Sequence, residues 1–301
     1  MDELSFTADD DVTVFYRRWM PNDPVRGVVL IVHGASEHSG RYARFAEVLR
    51  DEGCAVSALD LRGPGRTADS TGRGRMGARG MDGVLADVHE LAARARAEFP
   101  SVPVVLFGHS MGSLIAQAYV ERSGDALAGY ILSGSAGVSE RVAEMSTMMH
   151  DAVSAGMGDE PLEILGGFNA NFEPARTQYD WLSRDTDEVD KYIADPFCGD
   201  DVPLTYGFVA GLIDTLATSM EPDMLARVPK HLRVLLVTGE ADPTSNGAAQ
   251  VRELEQRLRD AGLDVTARYY VDARHELLNE INRDEVHADI VAWLTRVMPA
   301  P

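Results

Sequence analysis

Val104-Val105-Leu106-Phe107-Gly108-His109-Ser110-Met111-Gly112-Ser113 is the stretch on which the reading of this 301-residue chain turns. Its first half is an unbroken apolar run with two adjacent valines, the pattern of a strand covered on both faces. Its second half has the form G-x-S-x-G, and Leu114 to Val120 continue with helical spacing. A strand that turns this abruptly into a helix pushes the residue at the apex toward unfavourable backbone angles. Glycines two places before and after it leave room for the helix to fold back on the strand. Ser110 Oγ is therefore expected to project from the carboxyl end of a buried strand, where open α/β sheets bind their ligands.

Outward from that turn, strands and helices alternate. Gly27 to Val32, Ala55 to Asp60, Ala128 to Ser133, Leu232 to Thr238 and Val265 to Val271 read as strands. Tyr42 to Arg50, Val84 to Phe99, Ala248 to Ala261 and Arg283 to Val297 read as helices, and residues 5–19 as a hairpin. This alternation predicts an α/β fold with a mostly parallel central sheet and helices on both faces. Between Ala136 and Pro222 it stops. That segment carries Met145, Met148, Met149, Phe168, Phe172 and Trp181, interrupted by Gly156, Gly158, Pro161 and Gly166-Gly167. It reads as a helical cap over 136–222, inserted into a core made of 1–135 and 223–301. Arg62 to Gly83, rich in glycine and arginine without hydrophobic period, reads as a solvated loop.

Composition narrows the function classes. A formal charge of −20 argues against nucleic acid and against docking on anionic membranes. No apolar run approaches the ~18 residues of a membrane span, and Met1-Asp2-Glu3-Leu4 lacks the features of a signal peptide. Two cysteines, Cys54 and Cys198, make no disulfide framework and suit free thiols in a reducing compartment, so the expected location is cytoplasmic. The sequence leaves a homodimer open.

A serine hydroxyl at the apex of such a turn is a weak nucleophile without a histidine to take its proton and a carboxylate to orient that histidine. The partners should follow in the order acid, then histidine, each just past a strand. Asp242 in Thr238-Gly239-Glu240-Ala241-Asp242-Pro243 and His275 in Asp272-Ala273-Arg274-His275-Glu276 fill those places, with Glu240 as the rival acid. Asp242 is preferred because it lies deeper in its loop and precedes a proline. The oxyanion would be met by two backbone N–H groups, those of Met111 after the serine and Ala35 in the loop after the early strand. His33 and His109 are expected to pack near the turn rather than react.

The strings His33-Gly34-Ala35-Ser36-Glu37-His38-Ser39-Gly40-Arg41-Tyr42, Gly108-His109-Ser110-Met111-Gly112, Ser183-Arg184-Asp185 with Tyr192-Ile193-Ala194-Asp195-Pro196-Phe197-Cys198, and Arg274-His275-Glu276-Leu277-Leu278-Asn279-Glu280 together resemble the monoacylglycerol lipase and lysophospholipase-like family of capped α/β-hydrolases. The resemblance runs from about residue 5 to the end of the chain. It implies an α/β-hydrolase fold with a Ser110, Asp242 and His275 triad and an Ala35 and Met111 oxyanion hole. It also places Glu37, Arg41 and Tyr192 at positions that line a polar pocket for the alcohol end of the substrate. The i, i+4 spacing of Glu37 and Arg41 equally suits an ion pair at a helix start. Met148 and Met149 are the candidates for an acyl pocket, and equally for the cap's own core.

Two departures stand out. Gly63-Pro64-Gly65 replaces a G-H-G string, and Leu278 stands where animal relatives carry a histidine beside the pocket. The activity implied is hydrolysis of single-acyl-chain esters through an acyl-enzyme on Ser110, with no metal or organic cofactor. The alternatives are a peptidase or amidase, for which Asp185, Asp187, Glu188 and Asp190 could form an amine-binding cluster, and a hydrolase-fold receptor without turnover.

Overall fold

In the computed structural model, which describes residues 1–139, 141–162 and 166–298, the sheet takes its strands from both ends of the chain. The strands are β1 (Asp2–Thr7), β2 (Thr13–Trp19), β3 (Gly27–Val32), β4 (Cys54–Leu59), β5 (Val104–His109), β6 (Gly129–Ser133), β7 (Pro161–Leu162), β8 (Leu204–Thr205), β9 (Arg233–Gly239) and β10 (Asp264–Tyr270). Eight of them form one sheet in the order β1-β2-β4-β3-β5-β6-β9-β10, and β7 pairs with β8 in a separate two-stranded ribbon. β1, β2 and β4 pair antiparallel; every pair from β4 to β10 is parallel.

The pleat divides the core in two. Val28, Leu30, Val32, Leu106, Tyr130, Leu132, Val234 and Leu236 point to one face. Val29, Ile31, Val105, Phe107, Ile131, Leu235 and Val237, their immediate neighbours, point to the other. A strand with both alternating sets buried reads as a continuous apolar run, which is why these strands are legible without a period-2 signal. Helices α3 (Gly80–Glu98), α4 (Met111–Ser123) and α9 (Ala249–Asp260) cover the first face. Helices α1 (Ala43–Asp51) and α10 (Arg283–Val297) cover the second.

The expected solvated loop at 62–83 is corrected by the structure. Arg62 is fully buried, with Nε and Nη2 donating to Asp87 at 2.7 and 2.9 Å and Nη1 and Nη2 donating to Asp10 at 2.6 and 2.9 Å. Met76 and Met81 enter the core, α2 (Ala68–Thr71) forms one turn, and α3 starts at Gly80. A guanidinium whose donors are all matched can be buried, and here it replaces an apolar residue as the centre of the segment.

Between β6 and β9 lie α5 (Val142–Ala152), α6 (Thr186–Ala194), α7 (Tyr206–Thr218) and α8 (Pro222–Leu225), together with the ribbon and short 3-10 turns. Residues 140 and 163–165 of the expected cap and 299–301 of the expected core lie outside the described residues. The cap is not a separate globule. Phe208, Val209, Leu212 and Ile213 of α7 and Met149 of α5 belong to the same cluster as α3 and α4. A second, small cluster gathers Tyr179, Trp181, Leu182, Val189, Tyr192 and Cys198.

Candidate active site

Ser110 sits at φ 51° and ψ −121°, between the end of β5 and the start of α4. The glycines of the turn are required by contact. A methyl group on Gly108 would come 2.3 Å from the Gly112 carbonyl oxygen, and one on Gly112 would come 2.1 Å from that of Val32. The turn is pinned by Ser110 N–H donating to Ser133 O (2.9 Å) and by Ser113 Oγ donating to Ser110 O (2.6 Å).

Asp242 and His275 are brought together by the adjacent ends of β9 and β10. Gly239 makes the approach feasible, since a side chain there would strike Ala273 O at 2.1 Å. His275 Nδ1 donates to Asp242 Oδ2 at 2.9 Å, and both groups are buried. Asp242 Oδ1 accepts from Thr244 N–H (2.9 Å) and Thr244 Oγ1 (2.8 Å), so the carboxylate is held on both oxygens. With Nδ1 carrying its proton toward Asp242, Nε2 is the nitrogen free to accept one. Burial pulls the His275 pKa down, but the charge and hydrogen bond of Asp242 outweigh it, and the net shift is upward. The rival acid Glu240 turns away to an ion pair with Arg252 at 2.5 Å. Ser110 Oγ makes no hydrogen bond among the described residues, His275 included; such bonds are often long before substrate binds.

Ala35 follows β3 in a loop bent by Ser36 at φ 50°. Neither its N–H nor that of Met111 has an acceptor among the described residues. Glu37 shapes this loop: its Oε1 accepts from Gly34 N–H (2.5 Å) and from Tyr42 Oη (2.8 Å), and its Oε2 accepts from Arg41 Nη1 (2.8 Å). Burial favours the neutral acid, yet the Arg41 guanidinium and nearby imidazoles hold the carboxyl below its ordinary range. His33 and His109 are braces. His33 donates from Nδ1 to Gly34 O and accepts Leu61 N–H at Nε2. The His109 ring lies 4.9 Å from that of His275, and burial plus that neighbour push its pKa down to about 4.

The expected pocket residues divide. Glu37 and Arg41 line a narrow cleft with Tyr42, Phe45, His109, Glu276, Leu278 and Asn279. Their own hydrogen bonds are largely spoken for, because Arg41 also donates to Glu276 at 2.5 and 2.7 Å. Tyr192 is buried and donates its hydroxyl to Ser36 O (3.0 Å) under the Arg41 guanidinium. Met148 and Met149 do not share a surface. Met149 is 2% exposed and sits in the main core, while Met148 is 56% exposed, as adjacent positions on an amphipathic helix require.

Three further residues were not singled out for the site by sequence. Trp181 packs its ring 4.9 Å from the His275 imidazole, and its buried Nε1 has no partner among the described residues. Glu280, buried, accepts from Arg274 N–H (2.8 Å), Arg184 Nε (2.9 Å) and Ile281 N–H (2.9 Å). Thr244 stands two places after Asp242, the one local signal that could have marked it.

A strained serine between a parallel strand and a helix, with an aspartate–histidine pair on the next strand ends, defines the class: an α/β-hydrolase. Within it, the chain belongs to the family described as serine aminopeptidase, S33, which matches residues 23–282. It is 32% identical to the monoacylglycerol lipase of Mycolicibacterium smegmatis over 97% of this chain and 96% of that one. It is 27% identical to human monoglyceride lipase over 95% of this chain and 88% of that one. Among solved structures, a thermostable carboxyl esterase from Bacillus coagulans, in complex with glycerol, superposes with a TM-score of 0.92 at 29% identity, covering 99% of this chain and 98% of that one.

Proposed function

We propose that the protein is a serine carboxylic-ester hydrolase acting on single-acyl-chain esters of the monoacylglycerol or lysophospholipid kind. Ser110 Oγ attacks the ester carbonyl carbon while His275 Nε2 takes its proton. The oxyanion that forms is met by Ala35 N–H and Met111 N–H. Collapse of the tetrahedral intermediate breaks the bond to the alcohol, which leaves with the proton from His275, and Ser110 stays acylated. Water, deprotonated by His275, then releases the acid. The observations that carry this reading are the Ser110 turn at φ 51° at the end of β5 and the buried Asp242–His275 pair at 2.9 Å past the ends of β9 and β10 of the same sheet.

The cleft of Glu37, Arg41, Glu276 and Leu278 is assigned to the alcohol end. Leu278 gives one wall of that cleft no hydrogen-bonding group, so the hydroxyl groups of a glycerol end would be met from the Glu37, Arg41 and Glu276 side. The amidase reading has no support from the acidic cap residues, because three of the four have cationic partners. Asp185 meets Arg283 at 2.6 Å, Glu188 meets Arg44 and Lys191 at 2.7 Å, and Asp190 meets Arg176 at 2.6 Å. A free α-amine would find that charge already neutralised. The cap is assigned to 136–222 and selects the acyl chain. A cytoplasmic setting fits the unpaired Cys54 and Cys198.

The test is a panel of p-nitrophenyl esters of rising chain length with monoacylglycerols, lysophospholipids and aminoacyl amides. Esters should turn over and amides should not, and Ser110→Ala should lose ~10⁴–10⁶ of kcat. Equal turnover of aminoacyl amides would overturn the substrate class; full activity in Ser110→Ala would overturn the mechanism.

A further inference from the structure

Three donor side chains that the proposed reaction does not use meet where the turn after α6 packs against the loop after β3. His38 lies in the loop after β3, while Asp195 and Cys198 lie in the turn Asp195-Pro196-Phe197-Cys198 after α6. One donor atom from each falls within 4.8 Å of the other two. His38 Nε2 and Asp195 Oδ2 are already 2.9 Å apart. Cys198 is buried, whereas His38 and Asp195 keep partial exposure, so the group is open to solvent on one side. We propose that His38, Asp195 and Cys198 form a binding site for one divalent cation of the Zn²⁺ type, which ties the cap's returning turn to the loop that carries Ala35.

The donor set argues for that class of ion. Thiolate, imidazole and carboxylate together suit a borderline-soft cation and not Ca²⁺ or Mg²⁺, which prefer oxygen alone. Zn²⁺ holds such atoms at ~2.0–2.3 Å, so tetrahedral placement asks the present cluster to contract by small side-chain movements. The backbone around it is already fixed. Gly199 N–H donates to Ser36 O (3.0 Å), Tyr192 Oη donates to the same oxygen (3.0 Å), and Phe197 N–H donates to Asp195 Oδ1 (2.9 Å). Two chain segments more than 150 positions apart are thus presented face to face before any ion binds.

Proton accounting follows from the hydrogen bonds. His38 Nδ1 accepts from Gly40 N–H (3.2 Å), so Nε2 carries the ring proton and donates it to Asp195. Binding through Nε2 moves that proton to Nδ1 at the expense of the Gly40 bond, and the thiol proton leaves to solvent. The balance is one proton released for each ion bound, with affinity rising ~tenfold per pH unit while the thiol remains protonated.

The experiment uses the full chain carrying Cys54→Ser, stripped with a chelator, and titrates it with Co²⁺ as a spectroscopic stand-in for Zn²⁺. The expected result is one equivalent bound, tetrahedral d–d bands, a thiolate-to-metal charge-transfer band and one proton released. His38→Gln or Asp195→Asn should weaken binding by at least ~10-fold, and a further Cys198→Ser should remove the charge-transfer band. Zn²⁺ should raise the Tm of the Cys54→Ser chain and leave that of the double variant unchanged. Absence of a thiolate band in the Cys54→Ser chain overturns the proposal without recourse to any further variant. So does a band that survives Cys198→Ser. None of these readouts depends on ester hydrolysis.

Discussion

The two halves of the segment between β6 and β9 are built on opposite plans. The layer formed by α5, the turn at Val153–Met157 that follows it and α7 joins the main core on its inner side and exposes Met145, Met148, Val153 and Met157 on its outer side. No ion pair holds it to the histidine loop among the described residues. The stretch from Phe168 to Cys198 has almost the reverse character: a small apolar cluster surrounded by charged clamps. Arg274 Nη1 donates to the carbonyls of Asp180 and Ser183, Glu276 N–H donates to Leu182 O (2.7 Å), and Ser183 Oγ donates to Asn279 O (2.9 Å). Arg184 pairs with Glu280, and Arg283 with Asp185. One half presents an apolar outer surface. The other is a clasp on the loop that carries His275, with Trp181 laid against the imidazole itself. One segment thus combines an exposed apolar layer with a charged hold on the His275 loop.

The comparison can be broken or sharpened at several points. The largest effect belongs to the base that the clasp holds. Asp242→Asn should cost ~10⁴ in kcat, because the amide no longer selects the tautomer with Nε2 free. In the unaltered protein, activity should fall as pH drops through the His275 pKa, which lies above its ordinary value of 6.5. The sign is fixed by linkage. A raised histidine pKa stabilises the fold fully below the unfolded value and loses that contribution as pH rises through the folded one, so acid pH removes activity while it favours this ion pair. A kcat/KM profile with its acid limb below pH 6.5 would contradict the shift.

Next comes the clasp. Glu280→Gln takes a buried carboxylate away from the Arg184 guanidinium and from the backbone N–H groups of Arg184, Arg274 and Ile281, and should destabilise the protein by ~3 kcal/mol, read as a lower Tm or denaturant midpoint. An unchanged midpoint would mean that the cap is not held there. Trp181→Ala should lower kcat by ~10–100-fold, on the scale of a lost support for a positioned catalytic group, and should shift the acid limb of the pH profile. A change in KM alone would assign Trp181 to substrate contact instead. The smallest effect is expected on the other half. Met148→Ser should alter stability by less than ~0.5 kcal/mol, while raising KM for long-chain esters ~5-fold and leaving short-chain esters unaffected.

How much of this could be read beforehand follows from the range of the interactions. The strands were legible because both faces of each are buried, so every residue from Val28 to Val32 had to be apolar. The G-x-S-x-G turn was legible because its constraint is local: Gly108 and Gly112 face each other and the Val32 carbonyl within a few ångströms. Asp242 and His275 were found by chain order and by their position just past strands. Arg62 was misread because its partners, Asp10 and Asp87, are remote in sequence, and a lone arginine in a glycine-rich run carries no sign of them. Met148 and Met149 were grouped by composition, although a helix sends neighbouring residues to different faces.

The amino-acid order by itself determined the α/β sheet, the strained serine turn and the positions of Asp242 and His275 just past neighbouring strands. Each of these is dictated by short-range sterics or by a strand's need to bury both faces. Only the tertiary structure decided that Tyr192 supports the loop carrying Ala35 and Ser36, that Glu280 and Trp181 hold the His275 loop, and that the segment between β6 and β9 has two unlike halves. Those outcomes depend on hydrogen bonds and ring contacts between residues about a hundred or more positions apart. Nothing in a local pattern specifies such pairings, because the chain must fold before the partners can meet.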